Sequence, residues 1–295
     1  MQADSARRFI FEHLPIRGAY VELSSVWQTI ASQKEYPDGV RQFLGELLVA
    51  NILITSNIKR DGKIITQISE NPKVDLVVSE CSNDFKVRAT AKFAAGVHKD
   101  SQPSYSDCVS QGLLAISVDS TSEGKVYQSL VLLSGHDLSE ALNGYMLQSE
   151  QLRSMFIIAY TNHKIVGFML QQLPGEANHQ NDDINRIFML ANTLTQHELL
   201  VTEVDALLSK LFNEDDLVLF EAHKIEFSCT CSHDRVLGML RNLGKEEVVN
   251  ILHSAGNIEV TCDFCNTHYV FNAQDVDNVF AELRVEMDNI SQSVH

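Results

Sequence analysis

Basic charge is what this sequence has least of. Its 295 residues hold 23 Lys and Arg against 39 Asp and Glu, a net charge of -16 at pH 7. Nucleic acid and anionic membrane surfaces both require a basic face, so both partner classes are excluded. Long apolar runs are missing too, and no stretch approaches the length of a membrane span. Near the amino terminus, Phe9-Ile-Phe11 is cut by Glu12 and His13, too early for the core of a secretory signal. A cytoplasmic protein is therefore expected. A nucleophile elbow, a P-loop, a GxGxxG turn, an HExxH helix and a repeat of fixed period are all absent, and no enzyme is expected. What remains is a globular composition, 44% apolar and 21% charged, long enough for a large domain and a small one.

Four of the six cysteines lie in one window. Cys229-Thr-Cys231 is followed after 30 residues by Cys262-Asp-Phe-Cys265. Two such pairs can converge on one tetrahedral Zn2+. Thiols two or three positions apart can also close a disulfide within each pair, so the cluster can hold metal when reduced and lose it when oxidised. A thioredoxin-like reading of Cys262 and Cys265 lacks a βαβ context and leaves the other pair unexplained. His233, His253 and His268 lie nearby, but four thiolates already complete a closed site. Cys81 and Cys108 are isolated and read as small core or surface residues. Tyr105-Ser-Asp-Cys108 looks like a loop, where the thiol would be exposed. Asp182-Asp183 and Glu214-Asp215-Asp216 read as solvated helix ends rather than carboxylate sites.

Residues 1–175 alternate between strand and helix patterns, which indicates α+β with a largely antiparallel sheet. Strands are expected at Gly18–Leu23, Ile64–Ile68, Val74–Val78, Lys86–Ala91, Leu113–Val118, Gln128–Leu133, Met155–Tyr160 and Ile165–Leu173. Helices are expected over Ser25–Ser32, Pro37–Ser56 and Asp137–Glu150. Asp61-Gly62 marks a tight turn, and Pro174-Gly175 a boundary. Residues 176–228 form an amphipathic helical linker, with eleven Asp or Glu against three Lys or Arg. Ile184, Ile187, Phe188, Ala191 and Leu194 make one apolar stripe; Leu200, Val204, Leu207, Leu208, Leu211 and Phe212 make another. Thr195 and Glu198 fit a capping box between them. Such acidic helices fold only against a partner, and the terminal module is the expected one. That module, 229–286 with a tail at 287–295, holds two short helices (Arg235–Leu243, Lys245–His253) and two short strands (Ile258–Thr261, His268–Phe271). It is too small to be secure without a metal.

Glu226-Phe-Ser-Cys229-Thr-Cys231-Ser and Cys262-Asp-Phe-Cys265-Asn-Thr-His268-Tyr269-Val-Phe271-Asn-Ala273 carry a resemblance. Arg17-Gly18, Gly45-Glu46-Leu47-Leu48 and Tyr145-Met-Leu-Gln-Ser-Glu-Gln151 extend it through the chain. The sequence resembles the 33 kDa heat-shock chaperone family, redox-regulated holdases of the bacterial cytosol. The resemblance implies a reduced, inactive monomer with one Zn2+ on Cys229, Cys231, Cys262 and Cys265. It further implies that oxidation expels the zinc and forms the Cys229–Cys231 and Cys262–Cys265 disulfides. The module then unfolds, the linker loosens, and a homodimer holds unfolding clients without ATP until ATP-dependent foldases receive them. On that reading Ile187, Phe188, Leu207, Leu211 and Phe212 would meet clients. The competing readings are a constitutive zinc-module interaction protein and a thiol-disulfide oxidoreductase.

Overall fold

The apolar run after Pro37 becomes the hub of the first half of the molecule, a helix buried on nearly every side. The computed structural model describes residues 4–57, 62–93, 103–120, 124–133, 137–174, 182–278 and 280–281. Asp61, Gly175 and the tail at 287–295 lie outside them. The chain divides into two compact units at Ser228–Cys229. The first opens with β1 (Ser5–Phe11), β2 (Ile16–Leu23), α1 (Ser25–Ala31) and the hub, α2 (Asp38–Ser56). Next come β3 (Gly62–Ser69), β4 (Leu76–Ser82), β5 (Lys86–Lys92), α3 (Tyr105–Val109), β6 (Leu113–Ser120) and β7 (Lys125–Leu132). After these follow α4 (Leu138–Gln148), β8 (Ser154–Tyr160), β9 (Ile165–Gln172), α5 (Asp182–Ala191), α6 (Gln196–Val201) and α7 (Val204–Leu211). Three short strands close the unit: β10 (Leu217–Leu219), β11 (His223–Lys224) and β12 (Glu226–Phe227). The second unit contains α8 (His233–Leu243), α9 (Lys245–Ala255), β13 (Ile258–Thr261) and β14 (His268–Phe271).

The α+β class expected from the pattern is what the chain forms. One sheet runs β10-β1-β2-β9-β8, with β11 also on β1; the other runs β12-β5-β4-β3-β6-β7. Every pairing is antiparallel except β12 on β5. Side chains alternate across the first sheet with period two. On β2, Ala19, Val21 and Leu23 join α2 in the main core, while Ile16 and Tyr20 turn to the opposite face. β9 is buried along its whole length because both faces are covered. Gly18 leaves room for the ring of Phe9, which a Cβ there would overlap. Asn51, fully buried on α2, donates to the carbonyls of Ser79 (2.8 Å) and Ile64 (3.2 Å) and so pins the helix to the second sheet.

What covers the linker stripes differs from the expectation. Ile184, Ile187, Phe188, Ala191, Val204, Leu207, Leu208 and Phe212 pack on Phe9, Phe11, Ile16, Phe168 and Leu170, the outer face of the first sheet. The partner is this sheet, not the terminal module. Thr195 and Glu198 do form the capping box, at the start of α6. The acidic faces are relieved by Arg186 on Asp215 and by Lys210 on Glu198. From the end of α7 to Ser228 the chain is not helical. Residues 217–224 extend the first sheet, and Glu226–Phe227 switches to the second. Between them Ile225 is buried in the main core, and its N–H donates to the carbonyl of Asp4 (2.8 Å). Asp4, at φ 60, also accepts the N–H groups of Ser24, Ser25 and Val26 on its carboxylate, capping α1 from a distant part of the chain.

One buried carboxylate makes stability depend on pH. Glu46 on α2 is shut from water, which raises it to about 7 against the opposing hydrogen bonds from Tyr105 and Gln42. A folded-state value above the unfolded one gives stability that is complete below the unfolded value and lost as pH rises through about 7. Urea unfolding should therefore show Glu46→Gln gaining on the parent by up to about 3 kcal/mol between pH 5 and pH 8. A constant difference across that range would contradict the burial argument.

Candidate metal centre

Two knuckles build the site in the second unit. The first lies on the turn that leads into α8, and Ser232 caps that helix by accepting the N–H of Arg235. The Arg235 guanidinium folds back onto the carbonyl of Thr230 (2.9 Å), clamping the residue between Cys229 and Cys231. The second knuckle is the turn joining β13 to β14. It is closed by Cys262 N–H to the Thr267 carbonyl and Asn266 N–H to the Cys262 carbonyl, with Asn266 at φ 58. Both short strands form where the sequence places them and pair antiparallel from Ile258–Phe271 to Thr261–His268.

The four sulfurs meet. Cys229 and Cys262 approach to 3.6 Å, Cys231 and Cys265 to 3.3 Å, and all four lie within 4.8 Å of one another. Sulfurs at the corners of a tetrahedron around Zn2+ stand about 3.8 Å apart. The donor set and its spacing fit such an ion, and each cysteine is half-buried. His268 is turned away, to Thr261 Oγ1 at 3.1 Å, and His233 lies against the Phe271 ring. No histidine belongs to the cluster among the described residues.

The sulfurs have unequal surroundings. Burial raises Cys229 to about 12 and also raises Cys262. Burial opposes ionisation of Cys265 as well, but hydrogen bonds from Thr267 and the neighbouring sulfurs outweigh it and bring the thiol down to about 6. Tyr269 reaches from β14 to donate its phenol to Cys231 Sγ at 3.1 Å, and Thr267 Oγ1 lies 3.1 Å from Cys265 Sγ. Sequence reading missed both groups as parts of the site. Their positions, two and four residues beyond Cys265, are the signal that could have found them.

Cys81 and Cys108 lie elsewhere, both fully buried in the core of the first unit. The stretch at Tyr105–Val109 is a helix, not a loop, and Ser104 and Asp107 form its capping box. The Cys108 thiol is therefore enclosed, which fits its reading as a small core residue and not the exposure a loop would have given it. Burial raises both thiols to about 12. Brief alkylation of metal-stripped protein, with its first unit still folded, should modify Cys265 while leaving Cys81 and Cys108 unmodified, as peptide mass mapping would show. Labelling of Cys108 at a comparable rate would contradict its burial. Of the other acidic groups, Asp182 and Asp183 open α5 as an exposed helix end, whereas Asp215 is not solvated: it lies past the end of α7 with its carboxylate mostly buried against Arg186.

A two-sheet α+β unit followed by a small knuckle module whose four thiols could hold a metal ion defines the class of protein. The Hsp33 protein family matches residues 4–272, and the chain belongs to that family of chaperones. It is 37% identical over 281 residues to the 33 kDa chaperonin of Neisseria meningitidis serogroup A, covering 95% of this chain and 93% of that one. It is 35% identical over 294 residues to the 33 kDa chaperonin of Aliivibrio salmonicida, covering 98% and 100%. The fold is similar to the crystal structure of the 33 kDa chaperonin of Thermotoga maritima, with a TM-score of 0.80, 22% identity, and 96% and 99% coverage. No described helix is long and apolar enough to cross a membrane.

Proposed function

We propose that this chaperone is a cytoplasmic holdase that is switched on by oxidation of its four-thiol module and works without ATP. The convergence of Cys229, Cys231, Cys262 and Cys265 within 4.8 Å carries the reading. A bound Zn2+ would keep the four sulfurs as thiolates and cross-link a module too small to be secure alone. Each pair, Cys229 with Cys231 and Cys262 with Cys265, then gives up two electrons to form a disulfide. A peroxide accepts them with two protons and leaves as two waters. Sulfurs committed to disulfides no longer hold the ion, and the module loses its cross-link.

The effect on the linker runs through the chain at Ser228–Cys229, because the stripes of α5 and α7 rest on the first sheet. Ile187, Phe188, Leu207 and Phe212 are buried and Leu211 is half-buried, so they can meet clients only after these helices leave that sheet. The active form is a homodimer, the reduced form a monomer, and clients pass on to ATP-dependent foldases.

Zinc content, free thiols and suppression of a heat-denatured client's aggregation, measured before and after peroxide at elevated temperature, test the switch. Zinc retained, or activity that does not rise as zinc leaves, would mean a constitutive interaction module instead. Of the two disulfides, Cys262–Cys265 should close first, since the shorter Cys229–Cys231 loop strains the bond. Peptide mapping of half-oxidised protein checks the order, and a predominance of Cys229–Cys231 would refute it.

A further inference from the structure

In a protein with net charge -16, two arginines share a cleft that no described carboxylate lines. Arg8 on β1 stands opposite Ala19, and Arg17 on β2 stands opposite Ile10, so both side chains leave the same face of the sheet. They line a cleft of about 440 Å3 with Ile10, Asn57, Leu173 and Phe220, and no Asp or Glu is among its described residues. The Nε of Arg8 is buried and has no hydrogen-bond partner among the described residues. Its guanidinium lies 5.9 Å from the centre of the Phe220 ring. Arg17 donates to the neutral Oε1 of Gln171, from Nε at 3.0 Å and from Nη2 at 2.5 Å. Burial, and then the charge of Arg8, pull the Arg17 guanidinium down from its ordinary value.

Among the described residues, no carboxylate pairs with either guanidinium. At the end of α2, the carbonyls of Ile52, Leu53 and Ile54 already accept Ser56 Oγ, Asn57 Nδ2 and the Asn57 N–H. Glu150, which lines an adjoining cavity with Arg17, is exposed, accepts the Tyr145 phenol at 2.6 Å and forms no ion pair with either arginine. Two guanidiniums that share a cleft with no described carboxylate in its lining are a site for an anion.

We propose that this cleft binds the phosphoryl group of a small organic phosphate. A dianion balances both arginines, whereas a carboxylate answers only one. Ile10, Leu173 and Phe220 give apolar surface for the organic body. Phe220 lies between β10 and β11, and its N–H donates to the Arg8 carbonyl at 2.9 Å. One wall therefore belongs to the segment that follows α7, and a bound phosphate ties that segment to β1. This last consequence rests on the linker release proposed above; the binding does not.

Calorimetric titration of the reduced full chain with phenyl phosphate tests the site. Saturation at one site is expected, with inorganic phosphate competing and benzoate binding at least about tenfold more weakly. Arg8→Gln and Arg17→Lys should each weaken phenyl phosphate about tenfold or more. Lys73→Gln, an equal loss of charge outside the cleft, should change nothing. Absence of saturation by about 10 mM overturns the proposal. So does an equal loss in Lys73→Gln, failure of phosphate to compete, or benzoate binding as tightly as phenyl phosphate. Arg8→Gln removes no side-chain hydrogen bond to a described residue, so it remains decisive if an Arg17 variant fails to fold. No oxidant is used, so failure of the redox reading and failure of this site are separate results.

Discussion

Cys262→Ser should abolish hydrogen-exchange protection in α8, α9, β13 and β14 while β2, β9 and α2 keep theirs. The second unit has little else to hold it. Its core consists of Val236, Leu240, Val248, Ile258, Phe271, Val276 and Phe280 with a few half-buried neighbours. Its sheet is a single pair of four-residue strands, an arrangement marginal in water without support. Apparent binding energy in small structural zinc domains is about 10–16 kcal/mol, more than such a core supplies. Losing one of four thiolates removes enough of it to unfold the module. A chelator added to the unaltered protein should give the same pattern, and Cys81→Ser should not. Persisting protection in β13 and β14 of the serine variant would mean that the module folds on its apolar residues alone, and the switch would have no latch.

Phe212→Ala is expected to release the linker helices without any oxidant. Phe212 closes α7 against the first sheet, its ring edge-on to Phe11 at 5.1 Å and its side chain almost fully buried. Emptying such a site costs about 3–5 kcal/mol, and α5–α7 have little to set against it. Their outer faces are acidic, and besides Arg186–Asp215, whose carboxylate is mostly buried, their ties are the largely exposed pairs Lys210–Glu198 and Arg7–Asp205. Reduced Phe212→Ala should show faster exchange in α5–α7 than in β2 and β9, and should slow client aggregation as the parent does only after peroxide. Helices that exchange faster with no gain in suppression would remove these stripes from client binding. Helices unchanged in exchange would refute the packing argument.

Much of this arrangement is legible in the residues. The cysteine pairs mark the site, and Ile258–Thr261 and His268–Phe271 form the strands their pattern calls for. Thr195 and Glu198 announce α6, because a capping box is a local device. α3 carried the same device in Ser104 and Asp107, but the shortness of the helix masked its apolar period. β1 escapes notice because Arg7 and Arg8 interrupt an alternation in which only Phe9 and Phe11 face one core. β10, β11 and β12 are two or three residues long, too short for any period, and exist because β1 and β5 offer edges. What covers the linker stripes, and the capping of α1 by Asp4, are pairings between distant parts of the chain. Propensity and spacing carry no such information.

The place of β1 in its sheet bears on how this protein can be made. Its two neighbours are β2, which follows at once, and the strands at Leu217–Leu219 and His223–Lys224, roughly two hundred residues later. β2 in turn waits for β9. As the chain leaves the ribosome, at about 5–20 residues per second, the first strand keeps an unpaired edge through most of synthesis. The apolar face that carries Phe9 and Phe11 stays uncovered until α5–α7 emerge. A chaperone of this architecture thus spends its own birth as an aggregation-prone chain, and closing that edge is among the last acts of folding before the cysteine module appears.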